Sequence, residues 1–80
     1  MTAPDLGDDV RTEALFVSDL QRSQDPSAES IRHAVTAVVD RLGETGCAAL
    51  VAQEFGEHPE CATGRMRWAR HAVRDAFRAA

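Results

Sequence analysis

The sequence predicts an all-α fold, a compact domain of four helices whose last two form a helix-turn-helix-like pair. Three observations favour this class. Apolar residues recur at helical spacing, no run is typical of a strand, and 80 residues leave room for only one hydrophobic core. We expect a flexible N-terminal leader over residues 1–7 and a single helical domain over residues 8–80.

The first two predicted helices are bounded by capping residues. The first begins at Asp8 or Asp9, since either carboxylate can accept hydrogen bonds from the free N–H groups of the first turn. The second follows Pro26, with Asp25 or Ser27 as its cap, and it stops at Gly43. Its apolar positions step by four, three and four residues along Ile31, Val35, Val38 and Leu42.

The third and fourth predicted helices are joined by a short turn. The third runs from Thr45 to a stop at Gly56, and the fourth runs from Pro59 to about Arg78. An apolar stripe follows the fourth helix along Ala62, Met66, Ala69, Val73, Ala76 and Ala80. A separate row, expected to be exposed, consists of Arg67, Arg70, Arg74 and Arg78.

This pair has the features of a helix-turn-helix unit, which needs a small residue where the helices cross and a reversal between them. We expect the chain to turn back at Gly56, with Ala52 packed beneath Ala62 and Met66. Helix three reads Val-Ala-Gln-Glu-Phe-Gly over residues 51–56, and helix four contains Arg-Met-Arg-Trp-Ala-Arg-His-Ala-Val over residues 65–73.

These two strings resemble the promoter-reading C-terminal domain, region 4, of sigma-70-type factors over residues 45–78. The resemblance implies a DNA-binding or transcription-associated protein, with DNA or an RNA polymerase-associated protein as its partner. The same strings are similar to short uncharacterised proteins of high-GC bacteria, and the use of arginine for all nine basic residues fits such a genome. The sequence departs from the family at Glu57, where an apolar residue is usual.

If DNA is bound, we expect the contacts to come from the fourth helix. Arg65, Arg67 and Arg70 would contact phosphates, Thr63 and Arg67 would reach base edges, and Arg74 would extend the site. The start of that helix reads Glu-His-Pro-Glu over residues 57–60, however, and its carboxylates would repel phosphates.

The alternative function is a non-enzymatic protein-interaction bundle, possibly homodimeric, that binds no nucleic acid. Residues 1–40 hold eight acids and three arginines, whereas residues 64–80 hold five arginines and one acid. The arginines can therefore meet an acidic partner, a second copy or the acidic first helix. The partner-binding residues on this interpretation are Arg67, Arg70, Arg74, Arg78 and Trp68. We expect Trp68 itself to be partly buried.

Other function classes have little support. No apolar run is long enough for a membrane span, and acids in the first 25 residues argue against a signal peptide, so we expect a cytoplasmic protein. No nucleophile has a positioned base, so we expect neither an enzyme nor a cofactor. Cys47, His58, Cys61 and His71 match no standard zinc spacing, and we expect no metal, although three ligands without His71 stay open.

Overall fold

Three α-helices and one 3₁₀ helix make up the part of the chain that the computed structural model describes, residues 7–78. The α-helices are α1 (Asp8–Val17), α2 (Ala28–Glu57) and α3 (Pro59–Ala76), and the 3₁₀ helix spans Arg22–Gln24. No strand occurs within residues 7–78, so the predicted all-α class is confirmed. Almost all of the predicted leader, and stripe position Ala80, lie outside the described residues.

The predicted count of four helices is not confirmed, because the second and third predicted helices form the single element α2. Gly43, the expected stop, does leave the helical conformation, with φ 70° and ψ 173°. This region of backbone space is essentially restricted to glycine. The helix resumes at once after this single residue, so Gly43 produces a kink within α2 instead of a loop between two helices.

The helix starts are set by short-range contacts. Gly7, not Asp8 or Asp9, is the N-cap of α1, and no side chain caps that helix. Both aspartates lie instead in the first turn, where carboxylates interact favourably with the positive end of the helix dipole. At the start of α2, Ser27 is the cap, and its hydroxyl oxygen accepts a hydrogen bond of 3.1 Å from the backbone N–H of Ser30.

The chain reverses between α2 and α3 at one residue, His58, which has φ −138° and ψ 65°. The predicted reversal at Gly56 was therefore wrong in position, since α2 continues helically through Gly56 to Glu57. Pro59 explains the break, because proline disfavours helical backbone in the residue before it and is tolerated at the first position of a helix.

The predicted packing of Ala52 beneath Ala62 and Met66 was also wrong. Ala62 is buried and Met66 is partly buried, but Ala52 is exposed. Successive residues of a helix are turned by about 100°, so Ala52 points away from the side on which Val51 packs against the core. The buried small residue near the junction of α2 and α3 is Ala62 of α3.

The core is formed where all three α-helices meet. Leu15 of α1, Val35 and Cys47 of α2, and Val73 of α3 are its largest fully buried side chains. The α3 stripe is buried at Ala62, Ala69, Val73 and Ala76, as its spacing predicts. Across the core, Arg32 of α2 donates a 2.9 Å hydrogen bond from Nη1 to the Ala76 carbonyl. None of the described helices is long and apolar enough to cross a membrane.

The backbone at Gly43 gives a test of the α2 kink. A Gly43→Ala substitution forces a side chain into a glycine-only conformation, so we expect the free energy of unfolding to fall by about 1–3 kcal/mol. Urea unfolding followed by far-UV circular dichroism measures the change. Gly64→Ala in α3 is the control, because no atom lies within 4 Å of its added Cβ. That variant should be unchanged or more stable by about 0.5–1 kcal/mol, and equal stability of G43A and wild type would contradict the kink.

Candidate functional site

Arg65 binds the end of α1 from the second turn of α3. Its Nε donates a hydrogen bond of 2.8 Å to the carbonyl of Phe16. Its Nη2 donates bonds of 2.9 Å to the carbonyls of Ser18 and Leu20, and makes a longer contact of 3.4 Å with that of Leu15. One guanidinium thus contacts four backbone carbonyls, in the last turn of α1 and in the segment that follows it.

These bonds satisfy carbonyl groups at the C-terminal end of a helix. The last carbonyls of an α-helix lack partners within the helix and carry the negative end of its dipole, so a cation stabilises them. Arginine suits the position because its planar fork offers several donors at once. The guanidinium carbon also lies 5.9 Å from the ring centroid of Phe16 and 5.2 Å from that of Trp68. Burial lowers the pKa of Arg65, and the carboxylate of Glu54 opposes that shift.

Arg65 was predicted as a phosphate contact, and the structure places its Nε and Nη2 donors on carbonyls of the same chain. Its side chain is half-buried, between α3 and the end of α1. The partners lie 45 to 50 residues away in sequence, and no local pattern signals such a contact. Sequence reasoning therefore missed its role as a cap of α1.

One side of Arg65 forms the wall of an open groove between α1 and the end of α2, with a volume of about 360 Å³. Its floor is apolar, and Leu50 is an exposed large apolar residue there, with 39% of its surface accessible. We call this surface the acidic groove, which is lined by Phe16, Val17, Leu50, Gln53, Glu54, Glu57 and Arg65.

The acidic groove is electronegative. Glu54 and Glu57 lie in the last two turns of α2, whose last turn holds no basic residue. There they add to the negative end of the helix dipole. The Oε2 atom of Glu54 is buried without a hydrogen-bond partner among residues 7–78. Gln53 donates a weak 3.4 Å bond to Glu57. Among the described residues, Arg65 is the one cation that lines the groove and interacts electrostatically with Glu54, so the two carboxylates exceed the positive charge there by one.

The predicted arginine row is exposed at all four of its positions. Arg78 pairs with Asp75 through a 3.0 Å contact between Nη2 and Oδ1. Arg67, Arg70 and Arg74 form no hydrogen bond or ion pair with any other residue of the described range. The guanidinium groups of these three arginines are therefore available to solvent or to a binding partner.

The row divides between two sides of α3. Arg70 faces α1, where it lines a cleft together with Asp9 and Glu13. The acidic first helix is one of the partners that the sequence predicts for the arginine row. No ion pair within 4 Å joins Arg70 to either of these carboxylates. Arg67 lines a depression on the outward side with Trp68 and His71. Arg74 lies one turn beyond His71, since residues three or four positions apart are neighbours on a helix surface.

Trp68 lies at the centre of the outward basic surface. Its side chain is partly buried against the core, as the sequence predicts. Two shallow depressions beside it are lined in common by Arg22, Gly64 and Trp68, and one of them also by Arg67 and His71. We call this surface the arginine face, and define it as Arg22, Arg67, Trp68, His71 and Arg74.

The remaining predicted nucleic-acid residues give a mixed picture. Thr63 is exposed, and its hydroxyl donates a 2.8 Å bond to the carbonyl of Pro59, one turn earlier in α3. A helix-turn-helix protein inserts the start of its second helix into the DNA groove. Here that start is flanked by the exposed acids Glu57, the last residue of α2, and Glu60, in the first turn of α3. Arginines are found only from the second turn onward. The sequence argument about charge placement at this end of α3 thus holds in three dimensions.

The cysteines and histidines do not gather into a metal site. No group of three or more His, Cys, Asp or Glu side chains within residues 7–78 is placed to hold a metal ion. Cys47 is fully buried, whereas Cys61 and His58 are exposed. Burial raises the pKa of the Cys47 thiol, Glu13 adds to that rise and Arg41 opposes it, so the thiol stays protonated. A buried protonated cysteine acts as a small apolar residue.

Comparison of the chain with protein-family models, with curated proteins and with solved structures found no match. The resemblance to region 4 of sigma-70-type factors is therefore neither supported nor opposed by a relative. Function has to be inferred from the acidic groove and the arginine face themselves.

The cap of α1 by Arg65 gives a second test. Arg65→Met removes a donor from the carbonyls of Phe16, Ser18 and Leu20, whereas that of Leu15 keeps its bonds from the N–H and hydroxyl of Ser18. We expect the free energy of unfolding to fall by about 2–4 kcal/mol, given typical values for charged hydrogen bonds. Arg65→Lys keeps the charge but not the planar fork, and should fall between that variant and wild type. Urea unfolding measures both. Arg41→Met, on the exposed side of α2, is the control and should change stability by less than about 0.5 kcal/mol. The cap is refuted if R65M unfolds at the wild-type midpoint.

Proposed function

We propose that this protein is a non-enzymatic binding module whose arginine face binds an acidic protein surface. The observation that carries the proposal is the exposure of Arg67 and Arg74 without internal partners in residues 7–78. Arg67 lines a depression together with Trp68 and His71, and Arg74 lies one helical turn beyond His71. Arginine pairs with carboxylates through two parallel hydrogen bonds, and tryptophan and arginine are enriched among the residues that dominate binding energy.

An acidic protein fits this surface better than a DNA duplex. A helix-turn-helix protein approaches DNA with the start of its second helix, and here Glu60 lies in that first turn and Glu57 at the adjoining end of α2. The donors of Arg65, the first arginine of the predicted DNA site, are directed to α1. The whole chain has a formal net charge of −4, which opposes the approach of a polyanion. A protein partner needs only a local acidic patch.

DNA binding remains the second candidate, because α2 and α3 are joined by a single residue as a helical hairpin, and the arginine face follows the outside of α3. If the protein binds DNA, Arg67 and Arg74 would contact phosphates, and Thr63 would lie at the edge of the protein–DNA interface. Catalysis has no comparable support, since neither surface contains a nucleophile with a positioned base.

The fluorescence of Trp68, the one tryptophan of the chain, reports binding at the arginine face directly. We expect a short peptide of glutamate and leucine to shift its emission with a micromolar dissociation constant at low salt, and the shift to weaken as salt screens the charges. Arg67→Glu combined with Arg74→Glu should abolish the shift. Arg41→Glu, an equivalent reversal on an exposed part of α2, should leave it intact.

The same titration with a DNA duplex separates the two candidates. The proposal requires the peptide to bind more tightly than the duplex at equal ionic strength. A duplex that binds more tightly, with an affinity that R67E/R74E removes, would replace the acidic partner with nucleic acid. No shift with either ligand, in a variant set that circular dichroism shows to be folded, would reject both.

A further inference from the structure

The acidic groove and the arginine face are neighbours on one surface, and Arg65 is where they meet. Arg65 lines the groove together with Glu54 and Glu57. The same residue lines a depression of the arginine face together with Arg22 and Trp68. Two patches of opposite charge thus lie on either side of a side chain that is itself fixed to the end of α1 and the segment after it by four hydrogen bonds.

This arrangement is self-complementary. In a two-fold symmetric dimer, residue i of one copy meets residue j of the other, and j of the first meets i of the second. A two-fold axis passing near Arg65 therefore sets each acidic groove against the arginine face of the other copy. Both contacts are attractive, because each joins the exposed carboxylate of Glu57 to arginines that have no partner within the described part of the chain.

The apolar part of the surface fits the same arrangement. Stable interfaces have an apolar centre and a polar rim. Leu50, with 39% of its surface exposed, supplies apolar area within the acidic groove, and the partly buried ring of Trp68 supplies it within the arginine face. A standard interface buries about 800 Å² per partner. The accessible surface of 5569 Å² can supply that area on one side of the molecule.

We infer that the acidic partner of the arginine face is a second copy of this chain, in a symmetric dimer that pairs Glu57 of each copy with Arg67 of the other. The inference rests on the proposed function, since it names the partner of the same surface. It also accounts for the acidic groove, for which the proposed function alone gives no role.

Charge reversal tests the pairing. Sedimentation velocity over a range of concentrations should show a reversible dimer for the wild-type chain. Glu57→Arg places like charges together twice in the dimer, as does Arg67→Glu, so each variant alone should dimerise at least about tenfold more weakly. An equimolar mixture of E57R and R67E restores both attractive pairs and should form a heterodimer. The double variant E57R/R67E should dimerise on its own for the same reason.

Glu44→Arg and Arg41→Glu are the matched controls, because they reverse the same charges at exposed positions of α2 that line neither surface. Neither control should change dimerisation, alone or mixed. The inference is overturned if the wild-type chain sediments as a monomer at the highest concentration reached. It is equally overturned if a dimer forms that E57R and R67E do not weaken, or if their mixture fails to restore it.

The E57R variant also separates this inference from the proposed function. It keeps the whole arginine face, so it should still bind the glutamate–leucine peptide and shift the emission of Trp68. Peptide binding by a wild-type chain that never dimerises would overturn the second copy as partner and leave the proposed function standing. Absence of peptide binding by folded, monomeric E57R would count against the arginine face itself.

Discussion

The contact of Arg65 with the end of α1 is the interaction on which the rest of this structure depends. α1 has only ten residues, and an isolated helix of that length is marginal in water. Its packing and its C-terminal cap must therefore hold it in place. Arg65 supplies the cap from α3, and so fixes the end of α1 against α3. The acidic groove and the arginine face share Arg65 as a wall, so its position determines the relation between them.

Much of the fold follows from local sequence. The all-α class, the Ser27 cap, the start of α3 at Pro59 and the buried stripe through Val73 depend on residues a few positions apart. Gly43 was correctly singled out as non-helical, yet the resumption of the helix after it was not expected. A glycine marks where backbone conformation changes, but the packing of the flanking segments decides whether a loop or a kink results.

The candidate site was less predictable, because its contacts join distant segments. The exposed arginine row could be found from helical spacing. The capping role of Arg65 could not, since its carbonyl partners present no side-chain pattern and lie more than 40 residues away. The acidic groove was missed because Leu50 looks like a core residue in sequence, whereas in the folded chain it lies on the open side of α2. Ala52 was misplaced because the helical rotation of about 100° per residue turns it away from the side on which Val51 packs against the core.

Nuclear magnetic resonance tests the central contact most directly, through scalar coupling across a hydrogen bond. A long-range experiment on labelled protein should correlate Arg65 Nε with the carbonyl carbon of Phe16, whose oxygen accepts the 2.8 Å hydrogen bond from Nε. The Nε–H proton of Arg65 should also exchange with water more slowly than that of exposed Arg41. Absence of the correlation, together with equal exchange rates for the two arginines, would contradict the capping of α1 by Arg65.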